Sequence, residues 1–324
     1  MHFTTEELEA IRSTPKRPED FDVYWADLKA EVARVSPDWE RRPYAPLSTP
    51  HRQVDIISFK TIDGSLVHGW YAAPPDVEGM RTATGYLWLP GYSRGNPKPA
   101  GESLYDDTAT FGLNLHGNLP DTPYIHPFKT GDDYITNGIE SPLTFIFRRI
   151  VANCLIALEV LAAQPEVDPD MLVVGGMSQG GALALITAAL CRQVRLCFAD
   201  MPWLCDLDRA LSLAPLDAYR NVHGRRVPDA RMLVAFYAEE HPDHFERIYQ
   251  TYRYFDPLSH ADRITCPVQV SAGGRDPSCR PPTIYAVYNN IVAPKEMLYL
   301  PNAGHEIVPQ MHAAHAEWLS SKLQ

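Results

Sequence analysis

Residues 171–185, MLVVGGMSQGGALAL, decide the fold of this chain. A short apolar run is followed by two glycines, a serine, two more glycines and a series of helix-forming residues. This pattern predicts a β-strand that turns sharply into a helix. Within the turn, Gly176-Met177-Ser178-Gln179-Gly180 matches G-x-S-x-G, the nucleophile elbow in which a strained turn presents a serine hydroxyl above a sheet. A tight turn alone also needs glycines, so the rest of the chain must decide whether Ser178 is a nucleophile.

Strand-like and helical segments alternate on both sides of this turn. Such alternation predicts an α/β domain with a mostly parallel, doubly wound sheet. Before the turn, VDIISFKT and SLVHGWYAA form a predicted antiparallel hairpin, and a long helix is predicted at about 143–164. The other predicted elements are strands at TGYLWLP (84–90), FGLNLHG (111–117), VRLCFAD (194–200), VQVSAGG (268–274) and KEMLYLP (295–301), and a helical stretch at about 100–110.

Two segments depart from the alternation. Residues 1–50 contain a possible capping box, Thr4-x-x-Glu7, and an amphipathic helix, which together predict an N-terminal helical extension. Residues from about 204 to 258 are mostly helical in pattern and follow a strand. An insertion after the C-terminal end of such a strand lies over the ligand side of the sheet, so we expect a helical lid there. The expected organisation is one domain spanning 1–324.

A serine hydroxyl needs a base to remove its proton, and a histidine base needs an acid to orient it. Two downstream strands supply both, because VQVSAGGRD ends in Asp276 and KEMLYLPNAGHE delivers His305. The order Ser, Asp, His, with each residue after a strand, is that of the α/β-hydrolase fold. Asp200 at the end of VRLCFAD is an alternative acid, since some hydrolases take their acid from an equivalent strand.

An acyl-transfer site also requires donors for the oxyanion. One donor is the backbone N–H of the residue after the nucleophile, Gln179, and the second comes from the loop after the third strand, where Tyr92 is the candidate. The stretch 115–118, LHGN, looks like a His-Gly oxyanion motif but lies one strand too late. Pro202 and Trp203 follow the strand beside the elbow, so we expect them near the acyl group, although Trp203 could instead only pack the lid.

Composition excludes several other classes of function. The chain has 324 residues and a formal net charge of −11, with no basic run for nucleic acid and no apolar segment of membrane-spanning length. The six cysteines are scattered and lack a C-x-x-C pair, which indicates reduced, buried thiols in a cytoplasmic protein. His241/His244 and His312/His315 have metal-like spacing without a third ligand nearby, so we predict no metal and no cofactor.

On these residues the chain resembles the acetyl xylan esterase and cephalosporin C deacetylase family, the seventh carbohydrate esterase family. The similarity runs from FDVYWADLKAE (21–31) to the C-terminal helix. It rests further on PGYSRG, on the segment from NGIESPL through GGMSQGGALAL, and on ADMPWLCDLDRA, YRYFDPLSHADRITCPV and APKEMLYLPNAGHE.

The resemblance implies an α/β-hydrolase that removes small acyl groups, chiefly acetyl, from carbohydrate esters and related small alcohols. It assigns Ser178 as nucleophile, Asp276 as acid, His305 as base and the N–H groups of Tyr92 and Gln179 as oxyanion hole. It also implies a homo-oligomer, a ring-shaped hexamer with the active sites facing an internal cavity. An amidase or peptidase with the same triad, and an inactive binding protein of the same fold, are the alternatives.

Two departures from the family pattern concern the surroundings of the site. The family carries Arg-Gly-Gln where this chain has His116-Gly117-Asn118, and an imidazole makes different hydrogen bonds from a guanidinium. In the acid loop, Pro277 directly follows Asp276, which removes an N–H and restricts the backbone of Asp276. We therefore expect a difference in substrate preference and in the shape of the acid loop.

Overall fold

The computed structural model describes most of the chain. The described residues are 3–35, 38–49, 52–74, 80–92, 98–99, 105–115, 134–213, 219–222, 225–228 and 240–323. His116-Gly117-Asn118 lies outside them. Among the helices in these ranges, none combines the length and the apolar character that crossing a bilayer requires.

A nine-stranded, mostly parallel sheet forms the centre of the molecule, in the order β1-β2-β3-β5-β4-β6-β7-β10-β11. The first four strands in this order pair antiparallel, and all later neighbours pair parallel. A separate hairpin joins β8 to β9. The strands are β1 (Trp39–Pro43), β2 (Asp55–Lys60), β3 (Leu66–Ala72), β4 (Ala83–Leu89), β5 (Thr108–Asn114), β6 (Val167–Met177), β7 (Val194–Asp200), β8 (Tyr219–Val222), β9 (Arg225–Pro228), β10 (Val268–Gly273) and β11 (Lys295–Leu300).

Helices cover both faces of this sheet. Along β4, Leu87 and Leu89 belong to the larger apolar core and Tyr86 and Trp88 to the smaller one, as the two-residue period of a strand requires. The smaller core includes Trp318 of the C-terminal helix. The helices are α1 (Thr5–Glu9), α2 (Phe21–Val32), α3 (Ile146–Ala162), α4 (Gln179–Leu190), α5 (Leu207–Leu213), α6 (Phe245–Phe255), α7 (Pro281–Asn290) and α8 (Pro309–Lys322).

The architecture is that of an α/β-hydrolase, as the sequence predicts, and the capping box at Thr4 and Glu7 is present. Three local expectations need correction. The stretch 108–110 is the start of β5 and not helix, because its two threonines pair in the sheet between β3 and β4. The N-terminal 50 residues contain β1, and the described part of the predicted lid contains the β8–β9 hairpin besides α5 and α6.

The strand β1 could not be recognised from its sequence, because WERRP has no apolar alternation. Tertiary contacts determine its conformation. It pairs antiparallel with β2, and Arg41 lies 2.9 Å from Glu166 Oε1 while its Nε donates to Asp55. Both carboxylates are buried, so this arginine neutralises charges that would be costly inside the protein.

Candidate active site

Ser178 lies between β6 and α4 in a strained backbone conformation, with φ 61° and ψ −120°. An L-residue with positive φ requires support from its surroundings. The Ser178 N–H donates to the carbonyl of Asp200 at 2.8 Å, and the Ser178 carbonyl accepts from the N–H of Trp203 at 2.9 Å. The end of β7 and the segment that follows it therefore fix the elbow from the side.

The two flanking glycines allow the elbow to approach β4. A Cβ on Gly176 would lie 2.5 Å from the carbonyl oxygen of Leu89, and one on Gly180 would lie 2.1 Å from the same atom. Both distances are impossible for real side chains, so close packing requires the glycines. No part of this turn requires a hydroxyl, since the backbone and not the side chain of Ser178 makes the supporting bonds.

Asp276 and His305 meet at the edge of the sheet to which the Ser178 turn also belongs. Asp276 follows β10 and His305 follows β11, and these parallel neighbours end at the same edge as β6. His305 Nδ1 lies 2.7 Å from Asp276 Oδ2. The Asp276 carboxyl group is fully buried, whereas a quarter of the His305 side chain is exposed. A buried acid thus orients a histidine that can still reach a substrate.

The acid loop holds the Asp276 carboxylate in place, with Pro277 directly after it. The second carboxylate oxygen of Asp276, Oδ1, accepts the backbone N–H groups of Ser278 and Cys279, each at 2.8 Å. Pro277 has no N–H to offer, but neither of these bonds needs one from that position. The carboxylate is therefore fixed by its own loop at one oxygen and faces His305 with the other.

Asp200, the alternative acid, has other partners. Its Oδ1 accepts from the Ser271 hydroxyl at 2.8 Å, and its Oδ2 lies 3.3 Å from His315 Nε2. All three residues are buried. The structure therefore pairs His305 with Asp276, and it places Asp200 in a separate polar cluster between the sheet and α8.

The two candidate oxyanion residues are joined by a network that the sequence did not reveal. The Tyr92 hydroxyl accepts the backbone N–H of Tyr134 at 3.1 Å, and the Tyr134 hydroxyl donates to Gln179 Oε1 at 2.8 Å. The rings of Tyr92 and Tyr134 are 4.5 Å apart. A Cβ built on Gly91 would lie 3.9 Å from Ser178 Cβ, which places the turn before Tyr92 beside the elbow. Tyr134 belongs to no recognisable sequence motif.

Trp203 and Pro202 also lie beside the elbow. The Trp203 ring centroid is 4.9 Å from that of Tyr92, and Trp203 is buried. Pro202 is buried between Met201 and Trp203. Met201 and Leu204 both have positive φ, so this short segment is bent sharply to bring the tryptophan back toward Ser178.

One expected contact is not made. The hydrogen bonds between described residues include none from the Ser178 hydroxyl to His305, so the base is joined to its acid but not to the nucleophile. Such catalytic hydrogen bonds often tighten only in the complex with substrate. The structure thus groups Ser178 with Tyr92, Gln179 and Trp203, and groups His305 with Asp276.

Asp276 and His305 also belong to a set of metal-binding side chains. Together with Cys279 they place one ligand atom each within 4.8 Å of one another, and within the described ranges no other three residues do so. Among the described residues, neither of the two histidine pairs with metal-like spacing belongs to such a set. His312 stacks on Tyr105 at 4.5 Å and His315 on Phe198 at 4.1 Å, which gives both rings a packing role. Cys279 was not singled out from the sequence, although it stands three residues after the acid.

Comparisons with known proteins show which family this chain resembles. The profile of the acetyl xylan esterase family matches residues 1–322. Acetyl esterase Axe7A of Xylanibacter ruminicola is 26% identical over 98% of this chain and 70% of its own length. The acetyl xylan esterase from Paenibacillus sp. R4 superposes with a TM-score of 0.86 at 23% identity, over 99% of this chain and 100% of that chain. Acetyl Xylan Esterase 1 from Thermoanaerobacterium sp. JW/SL YS485 gives 0.83 at 25% identity, over 98% of each.

Proposed function

This chain belongs to the acetyl xylan esterase family and is a carboxylic ester hydrolase, and we propose that it hydrolyses small acyl esters through Ser178, His305 and Asp276. The observation that carries the proposal is the 2.7 Å contact between His305 Nδ1 and Asp276 Oδ2, at the same sheet edge as the Ser178 elbow. The elbow supplies a hydroxyl that its own turn does not use.

The reaction consists of two acyl transfers. His305 Nε2 takes the hydroxyl proton of Ser178 as its oxygen attacks the ester carbonyl, and the same proton then passes to the leaving alcohol. Water attacks the acyl-enzyme, giving its proton to His305, and the carboxylic acid is released as Ser178 regains a proton. Asp276 holds the histidine tautomer with Nδ1 protonated, which leaves Nε2 free to accept.

The oxyanion formed in each transfer requires fixed donors. We assign this role to the backbone N–H groups of Gln179 and Tyr92. The network through Tyr134 supports the assignment, since it ties the side chains of both residues to one another and thereby restrains their main chains. Restrained donors cost no reorganisation when charge develops on the oxygen, which is the main advantage of an oxyanion hole.

The aromatic surroundings of the elbow support a small acyl group. Trp203 and Tyr92 pack against each other beside Ser178, and this bulk favours an acyl group as small as acetyl. We propose acetylated sugars or related small alcohols as substrates, and a ring-shaped homo-oligomer, in line with the family resemblance. Size-exclusion chromatography with light scattering tests the oligomer.

A substrate screen of the purified protein tests the reaction. Nitrophenyl esters of acetate, butyrate and octanoate are compared with acetylated xylo-oligosaccharides and with aminoacyl anilides. We expect acetate esters to be hydrolysed fastest and anilides hardly at all. Faster hydrolysis of anilides than of acetate esters would replace the proposal with an amidase or peptidase. A protein that hydrolyses nothing and resists labelling by a fluorophosphonate would be an inactive member of the fold.

A further inference from the structure

Cys279 places a sulfur atom beside the acid and the base of the site. The loop after β10 turns back on itself because the Cys279 N–H donates to Asp276 Oδ1 at 2.8 Å. This turn brings the thiol, a carboxylate oxygen and a His305 ring nitrogen within 4.8 Å of one another. The proposed ester hydrolysis uses the carboxylate and the imidazole and has no role for the thiol.

We propose that Asp276, Cys279 and His305 form an inhibitory site for a thiophilic divalent cation such as Zn²⁺. Zinc binds sulfur, imidazole nitrogen and carboxylate oxygen at about 2.0 to 2.3 Å in a tetrahedron, which puts ligands about 3.3 to 3.8 Å apart. The three ligand atoms lie within 4.8 Å of one another, so modest side-chain rotations bring them to that spacing. They leave a fourth position for water or for a substrate group.

The charges of the site suit a divalent cation. A thiolate and a carboxylate together carry two negative charges, so bound Zn²⁺ makes the set neutral, as a buried site requires. Coordination at His305 Nδ1 moves the proton that this atom shares with Asp276 to Nε2 of the same ring, and the thiol proton is released to water. Arg275 and Arg280 border a cavity of about 370 Å³ at Asp276 and repel cations there, so the exposed quarter of His305 is the route of entry.

Metal binding at this site stops the proposed reaction. With Nδ1 bound to the cation, the neutral imidazole carries its remaining proton on Nε2 and has no lone pair for the Ser178 hydroxyl. The metal also takes the carboxylate that orients the ring. This second part of the inference rests on the proposed function, whereas the existence of the site does not.

Cobalt binding tests the site without reference to activity. Co²⁺ replaces Zn²⁺ in such sites, and a thiolate ligand gives an intense near-ultraviolet charge-transfer band. We expect this band in the wild-type protein and in Cys191→Ser, the matched control, whose half-buried thiol lies at the end of α4. Cys279→Ser should lack it. A wild-type spectrum without the band, or an undiminished band in Cys279→Ser, overturns the proposal.

Zinc inhibition of ester hydrolysis tests the consequence. Each protein is compared with its own rate in the absence of zinc, so any effect of the substitution on the basal rate cancels. We expect reversible inhibition of the wild type and of Cys191→Ser, and inhibition that needs about tenfold or more zinc in Cys279→Ser. Equal sensitivity of all three proteins contradicts the proposal. If Cys279→Ser does not fold, Cys279→Ala serves in both assays, with thermal unfolding as the check.

The two failures can be told apart. If the protein shows the cobalt band but has no esterase activity, the metal site is supported and the proposed function is wrong. If the protein hydrolyses esters but shows neither the band nor a zinc effect that depends on Cys279, the proposed function is supported and the metal site is wrong.

Discussion

The backbone of Ser178 is held by bonds that do not involve its hydroxyl. Its N–H is bound to the last residue of β7 and its carbonyl to the segment after β7, and its neighbours Gly176 and Gly180 provide the space. We therefore expect Ser178→Ala to fold as the wild type does, with an unchanged thermal midpoint, and to lose about 10⁴ to 10⁶ in kcat for nitrophenyl acetate. A purified mutant that kept a tenth of the activity would remove Ser178 from the nucleophile position.

The buried acids Asp276 and Asp200 have different partners, so their substitution should have different effects on activity and stability. Asp276→Asn leaves His305 without its acceptor and should lower kcat by about 10⁴. Asp200→Asn disturbs Ser271 and His315, so we expect a loss of about 1 to 3 kcal/mol of unfolding free energy and a far smaller change in kcat. Measuring kcat and urea unfolding for both variants shows which of the two is the catalytic acid. Reversed effects would assign the acid to Asp200.

Elements with a strong pattern could be predicted from the sequence, and those set by tertiary contacts could not. The elbow and the ends of β10 and β11 were predictable, because parallel strands bring their carboxyl ends to one edge. The strand β1 depends on Arg41 and its buried acids, and the Tyr134 network depends on a contact with Gln179 that no periodicity encodes. The position of Cys279 likewise depends on an N–H bond within the acid loop.

The segment between β7 and α5 connects the elbow to the lid, and its tryptophan has a testable role. The Trp203 ring packs on Tyr92 beside Ser178, so we expect kcat/KM to fall from acetate to butyrate to octanoate esters. Trp203→Ala should flatten this decline, because an open apolar pocket gains about 0.8 kcal/mol for each CH₂ buried. An unchanged profile in the variant would restrict Trp203 to packing the lid. Preference of the wild type for octanoate would refute the small-acyl substrate.

The N-terminal extension packs against the rest of the domain. Phe21 and Trp25 of α2 are buried, and both rings pack within 5.1 Å of His260, which follows α6. Amphipathic spacing in the sequence predicted the apolar face of α2, but not that a buried histidine would be its partner. These residues join α2 to the end of the lid. Loss of this contact therefore lowers the stability of the folded chain as a whole.

His260 makes that contact sensitive to acid. Burial lowers its pKa from 6.5 to about 3, although the bond of its ring to the Tyr254 carbonyl acts in the opposite direction. Between these two pH values the unfolded chain binds a proton that the folded chain does not, so stability falls as the pH decreases. The expected loss between pH 7 and pH 4 is up to about 3 kcal/mol.

Urea unfolding of the wild type and of His260→Gln at pH 7 and pH 4 measures this contribution. The variant should be less stable at pH 7 and should lose less on acidification, because glutamine does not titrate. Burial raises the pKa of Asp256 to about 7, and the folded chain then binds the extra proton between the ordinary value of 3.8 and pH 7. That effect has the opposite sign but is common to both proteins, so it cancels in the comparison. Equal losses in the two proteins would show that His260 is not the acid-sensitive group at the junction of α2 and the lid.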